Sequence, residues 1–252
     1  VDVTERREAA TLLESLVRER TAELQRSNED LQQFAHVTSH DLKEPTRKIK
    51  TFAGMLGDDP GTQLSERGQT YLEKIKSAAN RMFLMINGVL TYSTITESEP
   101  ESEAVPLEAL LSAIRDDLEV PVRQKGARII SHGLPVLQGS PVLLYQLFFN
   151  LLSNALKFAR ADVAPVIELR SRPDRIPGWT RIEVRDNGIG FDPEHSERIF
   201  ETFSRLHSKD QYEGTGLGLA LCRKIVRRHG GQISAEGRPG EGATFVLTLP
   251  LR

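Results

Sequence analysis

From Val17 to Leu56 the positions Val17, Thr21, Leu24, Asn28, Leu31, Ala35, Thr38, Leu42, Pro45, Ile49, Phe52 and Leu56 follow one another in alternating steps of four and three. That rhythm keeps one stripe of a helix turned towards a partner, so it predicts a long first helix of coiled-coil type. Gly57-Asp58-Asp59-Pro60-Gly61 breaks it, and a second stripe follows at Leu72, Ile75, Ala79, Met82, Ile86 and Val89. The result is an antiparallel helical hairpin. Two helices alone bury too little apolar surface, which predicts closure as a four-helix bundle between two identical chains, a homodimer. The competing arrangement packs the hairpin on the second half of its own chain. Thr21 and Asn28 are polar positions in the stripe; they lower its stability while fixing register, and a weakened seam can also shift and carry a signal along the first helix.

Residues 97–104, Glu97-Ser98-Glu99-Pro100-Glu101-Ser102-Glu103-Ala104, form an acidic stretch interrupted by proline and read as a linker. Four segments follow: a signalling coiled coil over 1–30, the helical hairpin over 31–96, the linker, and a second domain over 105–252. In that domain helical patterns at Leu107–Val120, Val142–Phe158 and Leu217–Arg228 alternate with strand patterns at Ala127–Ser131, Val166–Arg170, Arg181–Arg185, Gln232–Ala235 and Thr244–Leu249. A mixed sheet with helices on one face is the natural packing, giving an α+β multidomain chain that ends in an α/β sandwich. The 252 residues suffice for two modest domains, and a formal charge of −2 gives no general field for nucleic acid. The lone Cys222 lies in an apolar helical run, where it reads as a packing residue in a reducing, cytoplasmic setting. No apolar run approaches the roughly 18 residues of a membrane span, so no membrane contact is expected of this segment.

The chemistry-bearing residues of the second half fall into short clusters. Asn150 and Asn154 are four apart, with Lys157 three further on, so all three share one helical face. Such amides suit magnesium, which keeps waters and bridges phosphates, or they cap and bridge neighbouring helices. Asp186-Asn187-Gly188-Ile189-Gly190 closes a strand with a tight turn. Gly214-Thr215-Gly216-Leu217-Gly218 opens a helix whose first N–H groups can hold phosphate oxygens; because no strand precedes it, it is neither a dinucleotide fingerprint nor a Walker loop. The polar stretch between them reads as a mobile lid, with Phe200 and Phe203 anchoring it by burial and Arg205 able to reach phosphate oxygens. His195 and His207 read as solvated loop residues, and Gly240-Glu241-Gly242 as a structural turn. Upstream, the stripe turns Thr38 and Leu42 inward and leaves His40 outermost. Asp41 can accept a hydrogen bond from one ring nitrogen, freeing the lone pair of the other to attack phosphorus. Glu44 offers a second acceptor or an ion pair with Lys43 or Lys48, and Pro45 removes a backbone donor just beyond.

Phe34-Ala35-His36-Val37-Thr38-Ser39-His40-Asp41-Leu42-Lys43-Glu44-Pro45 resembles the phosphoacceptor box of sensor histidine kinases, and the later clusters follow in the order of that family over roughly residues 11 to 250. The resemblance implies a dimeric hairpin bearing His40, then an ATP-binding domain of the gyrase and chaperone ATPase type, the Bergerat fold. It implies ATP and Mg²⁺, with Asn154 as the metal ligand, Asn150 in support, Lys157 on phosphate and Phe158 packing on adenine. Asp186 would accept from the exocyclic amine, with Gly188 and Gly190 admitting the base, and Arg205 and the segment Gly214, Thr215, Gly216, Leu217 and Gly218 would hold phosphates. The implied function is autophosphorylation of His40 followed by transfer to an aspartate of a response regulator receiver domain, with bending near Pro100 bringing the two domains together. Asp2 to Ala9 resembles the tail of a PAS sensor domain, implying an upstream input domain. Glu44 stands where relatives with phosphatase activity carry threonine or asparagine, and Glu213 where many carry glycine. Two other readings stay open: a nucleotide-binding pseudokinase acting as a dimeric adaptor, and a clamp ATPase, which would need a water-activating glutamate near Asn150.

Overall fold

The computed structural model describes residues 3–58, 64–94, 102–206, 212 and 214–251. Side chains of the two long helices are described over part of their length, and His40 is outside that part. The chain divides into two compact units, residues 1–94 and 95–252.

The first unit is the expected hairpin. Helix α1 spans Val3–Asp58, continuing through Pro45, and α2 spans Glu66–Thr94. At 1.5 Å per residue α1 is about 84 Å long. The face buried within the hairpin carries Ser39, Thr46 and Ala53 from α1 and Leu72, Ala79 and Ile86 from α2, each set spaced by seven. This corrects the phase expected from the sequence: Leu42 is 49% exposed, and Ile49, Phe52 and Leu56 also face away from α2. Small side chains let the two helices approach closely, and the Thr46 hydroxyl is satisfied by donating to the Leu42 carbonyl at 2.7 Å, so a polar residue can sit inside. The larger apolar residues therefore form a second, uncovered stripe. Thr21 is exposed and donates to the Val17 carbonyl at 2.7 Å; the side chains of Leu24, Asn28, Leu31 and Ala35 lie outside the described ones.

The second unit contains β1 (Glu103–Pro106), α3 (Leu107–Asp117), α4 (Glu119–Lys125), β2 (Arg128–His132), β3 (Val136–Gly139), α5 (Pro141–Lys157), β4 (Val166–Pro173), β5 (Trp179–Asp186), α6 (Gly218–Arg228), β6 (Gln232–Arg238) and β7 (Gly242–Pro250). The main sheet has the order β2-β4-β5-β7-β6, with β2 and β4 parallel and the other pairs antiparallel. From Ala243 onward β7 alternates, with Ala243, Phe245, Leu247 and Leu249 buried and Thr244, Val246, Thr248 and Pro250 half-buried, as expected of a sheet covered on one face. The cover comes from apolar faces of α3, α5 and α6. That is the mixed α/β sandwich expected from the sequence. Strands β1 and β3 pair in a small separate sheet, and β1 begins at Glu103, inside the stretch read as linker; residues 97–101 of that stretch lie outside the described ones. The helix expected over Leu107–Val120 is two helices that break at Leu118. Cys222 is fully buried with its Sγ 3.7 Å from the Leu147 carbonyl, and desolvation holds its thiol far above the usual range, in keeping with a packing role. Among the described residues no helix is long and apolar enough to cross a membrane.

His229, at the C-terminus of α6, links this helix to the start of α5. Its Nε2 accepts from the Ser140 N–H at 3.1 Å, and Nδ1 lies 2.8 Å from the Ile225 carbonyl, so Nδ1 carries the proton of a neutral ring. Gly139 makes room for it, since a Cβ there would sit 2.4 Å from Cδ2 of His229. Desolvation lowers the pKa of His229, the Ile225 bond opposes that and neighbouring Arg228 adds to it. With the folded value below the unfolded one, stability is unaffected above about pH 6.5. On acidification below that point the unfolded chain takes up a proton that the folded ring declines, so stability falls until the lower, folded pKa is passed, with a slope of at most about 1.4 kcal/mol per pH unit. Urea unfolding at pH 7.5 and 5.5 checks this: His229→Gln should reduce the acid loss, and an unchanged loss contradicts the assignment.

Candidate functional site

Strand β5 ends on Asp186, which is half-buried. Its Oδ1 accepts from the N–H of Gly188 at 2.8 Å and of Ala243 at 3.3 Å. Burial raises its pKa, while both backbone bonds pull the other way. Among the described residues no hydrogen bond falls on Oδ2, which is the acceptor this site can offer a ligand. The backbone around it is pressed together. Gly190 has φ +64°, and a Cβ there would lie 2.0 Å from the Arg238 carbonyl; Gly242 has φ +103°, and its Cβ would lie 2.0 Å from the carbonyl of Asp186 itself. Gly242 therefore does more than turn the chain, because it lets β7 run close enough for Ala243 to reach the carboxylate. Asn187 ties the same turn down, with Oδ1 accepting from the Val166 N–H at 2.8 Å and Nδ2 donating to the Ala164 carbonyl at 3.0 Å.

Phe158 connects this acceptor to the helix that carries the amides. Its carbonyl accepts from the Ile189 N–H at 2.9 Å, and a Cβ on Gly188 would fall 2.5 Å from the same carbonyl. Residue 158 caps α5, so Asn150, Asn154 and Lys157 lead directly to it. A Cβ on Gly218 would lie 3.8 Å from Oδ1 of Asn150 and 3.9 Å from Nδ2 of Asn154, which puts both amides against the start of α6. Nδ2 of Asn150 is buried without a hydrogen-bond partner. A buried orphan donor costs about 1–3 kcal/mol, and a ligand acceptor would relieve it. The Lys157 ammonium sits 4.5 Å over the Phe158 ring and 2.5 Å from where a Cβ of Gly214 would be. Asn150, Asn154, Lys157, Phe158, Asp186, Gly188, Gly190, Gly214 and Gly218 are thus brought into one neighbourhood. Among the described residues there is no cluster of three His, Cys, Asp or Glu side chains. The donor set fits a hard cation held by an amide oxygen and by the oxygens of its ligand, as magnesium is.

Other expectations are corrected. Phe200 is buried, edge-on to Phe245 at 6.4 Å, but Phe203 is 57% exposed with φ +63° and anchors nothing by burial; its N–H is held by the Gly216 carbonyl at 3.0 Å. The Arg205 guanidinium meets two main-chain carbonyls. Nη1 donates to the Gly214 carbonyl at 2.8 Å and Nη2 to the Tyr212 carbonyl at 2.5 Å, because these carbonyls lack helix or strand partners. Leu217 is buried, and its N–H goes to the Thr215 hydroxyl at 3.3 Å, which removes that amide from the expected anion set. Tyr212, unremarkable in sequence, packs on Phe158 with ring centroids 5.0 Å apart and the rings tilted by 48°. His195 is partly exposed beside Glu194 at 3.6 Å, and His207 and Glu213 lie outside the described residues. In the first unit His40 lies on the backbone of α1, with its side chain outside the described ones. Asp41 beside it is exposed, and Glu44 pairs at 2.7 Å with Lys48, one of its two expected partners.

Two family models match the chain in the order of its two units. Residues 30–98 match the His Kinase A (phospho-acceptor) domain, and residues 139–252 match the Histidine kinase-, DNA gyrase B-, and HSP90-like ATPase. Cyanobacterial phytochrome A of Nostoc sp. is 38% identical over 91% of this chain and 30% of its own length. Phytochrome-like protein Cph1 of Synechocystis sp. is 35% identical over 90% of this chain and 30% of its own. The chain therefore spans about a third of the length of these relatives. Among solved structures, full-length ShkA in complex with AMPPNP superposes with a TM-score of 0.67 at 26% identity, over 86% of this chain and 45% of that one. With a phosphoacceptor-type hairpin followed by this ATPase-type sandwich, the chain belongs to the sensor histidine kinases of two-component systems, of which it is the core.

Proposed function

We propose that this core binds ATP in the second unit, transfers its γ-phosphoryl group to His40, and passes it on to an aspartate of a response regulator receiver domain. The observation that carries the reading is the half-buried Asp186, fixed through one oxygen and open at the other, beside the amide and lysine face of α5. Oδ2 suits the exocyclic amine of adenine, and Phe158 lines the base. Asn150, Asn154, Lys157 and the amides of Gly214, Gly216 and Gly218 suit the phosphates. When bound, Mg²⁺ at the Asn154 oxygen would neutralise charge on the phosphate chain. Asp41 would hold one nitrogen of His40 protonated so that the other attacks in line. Since the two sites belong to separate units, transfer requires the chain near Pro100 to let them meet.

The uncovered stripe of Leu42, Ile49, Phe52 and Leu56, with Ile75 and Met82 on α2, supports a homodimer in which two hairpins close a four-helix bundle. Its phytochrome-type relatives support an upstream sensor domain, for which the start of the chain suggests a PAS module. A clamp ATPase is disfavoured by Asn150 standing where its glutamate would be sought.

Three outcomes test this. Incubation with γ-labelled ATP should give an acid-labile, base-stable label that disappears in His40→Ala; free phosphate alone would indicate a clamp, and neither product an adaptor. Asp186→Asn keeps an oxygen for both backbone N–H groups but presents an amide NH₂ to the base, so it should retain its unfolding midpoint while ATP affinity falls about 10- to 100-fold; calorimetry with urea unfolding would show both. Ile49→Glu combined with Phe52→Glu should turn a dimer into a monomer by light scattering, and a persistent dimer would place the interface elsewhere.

A further inference from the structure

Resting on the nucleotide reading above, we propose that Tyr212 is a base-contacting residue of this site and that Arg205 is the positioning residue that holds it there. Tyr212 meets Phe158 at a 5.0 Å centroid distance with the rings tilted by 48°, in the range of favourable aromatic pairs. Phe158, whose ring Tyr212 meets, is also the residue whose carbonyl accepts from Ile189 in the turn that follows Asp186, so Tyr212 packs on the residue that joins α5 to that turn. Its ring is partly buried.

The position of Tyr212 is fixed by a fork. A guanidinium presents parallel donors that can grip two carbonyls at once, and Arg205 grips those of Tyr212 and Gly214, at 2.5 and 2.8 Å. The same clamp thus sets the aromatic ring and the first glycine of the segment leading into α6. Lys157 lies over the Phe158 ring at 4.5 Å and close to Gly214. Labour divides by chemistry: the ammonium and glycine amides suit phosphate, whereas a neutral aromatic ring beside Phe158 suits the face of a heteroaromatic base.

That division separates the proposal from simple packing. A lost base contact weakens every adenine nucleotide alike, whereas a lost phosphate contact weakens the more highly charged one most. Binding of ATP and of ADP to the whole chain is measured for wild type, Tyr212→Leu, Tyr212→Phe, Arg205→Lys, the Tyr212→Leu/Arg205→Lys double variant and Lys157→Ala. Tyr212→Leu should lose about tenfold for both nucleotides, the scale of one stacked base, and Tyr212→Phe should stay within about twofold of wild type. Arg205→Lys, unable to span both carbonyls, should reproduce part of the loss, and adding it to Tyr212→Leu should weaken binding by less than the two separate losses together. Lys157→Ala should lose more for ATP than for ADP. Unchanged or tighter binding in Tyr212→Leu, a loss confined to ATP, or failure of Tyr212→Phe to retain affinity would overturn the assignment while leaving the nucleotide site standing. No binding by the wild type would remove both.

Discussion

The half-buried carboxylate at the end of β5 is held in place by two backbone N–H groups that converge on one of its oxygens. That convergence constrains much of what surrounds it. Ala243 can reach the carboxylate because Gly242 adopts a positive φ with no side chain to push β7 off Asp186, and Gly190 gives the same freedom against Arg238. Gly188 allows Phe158 to approach, and Phe158 is where α5 ends. The open oxygen of Asp186 and the amide face of α5 are therefore held at a fixed spacing by main chain, with few flexible side chains in between. A site built this way is set by the fold of the sandwich.

The hairpin solves a different problem. Its inner seam is made of Ser39, Thr46 and Ala53, small enough for α2 to come close, and the bulky apolar residues are left on the outside. Hydrophobic surface of that length on a helix is an interface in waiting. That leaves the larger apolar stripe available to the second copy proposed above.

Much of this was legible in the sequence, for identifiable reasons. The hairpin and its break followed from heptad spacing and the Gly-Asp-Asp-Pro-Gly interruption, and the sandwich from alternating periods. The phase of the hairpin was misread because spacing marks an apolar stripe without saying whether it meets the neighbouring helix or another chain. Strands β1 and β3 were missed because four residues are too few to establish a period, and proline ends β1. Asp186, Asn154 and Lys157 stood out because a carboxylate, an amide and a lysine beside glycine turns are the groups that a base and its phosphates call for. Tyr212 and the clamp by Arg205 left no such mark: a tyrosine in a polar stretch has no period, and carbonyl partners are invisible before the chain folds. Phe203 misled because an aromatic residue suggests burial, whereas its backbone is fixed by Gly216 and its ring is left outside.

The central claim is that a base is read through the Asp186 carboxylate. Recording ¹⁵N–¹H spectra of the chain during titration with ATP and, separately, with GTP tests it most directly. The account predicts saturable shifts at the amides of Gly188, Ile189 and Ala243 with ATP and not with GTP, whose carbonyl faces the acceptor where adenine has an amine. Equal responses to both nucleotides, or shifts confined to residues 214–218, would contradict it.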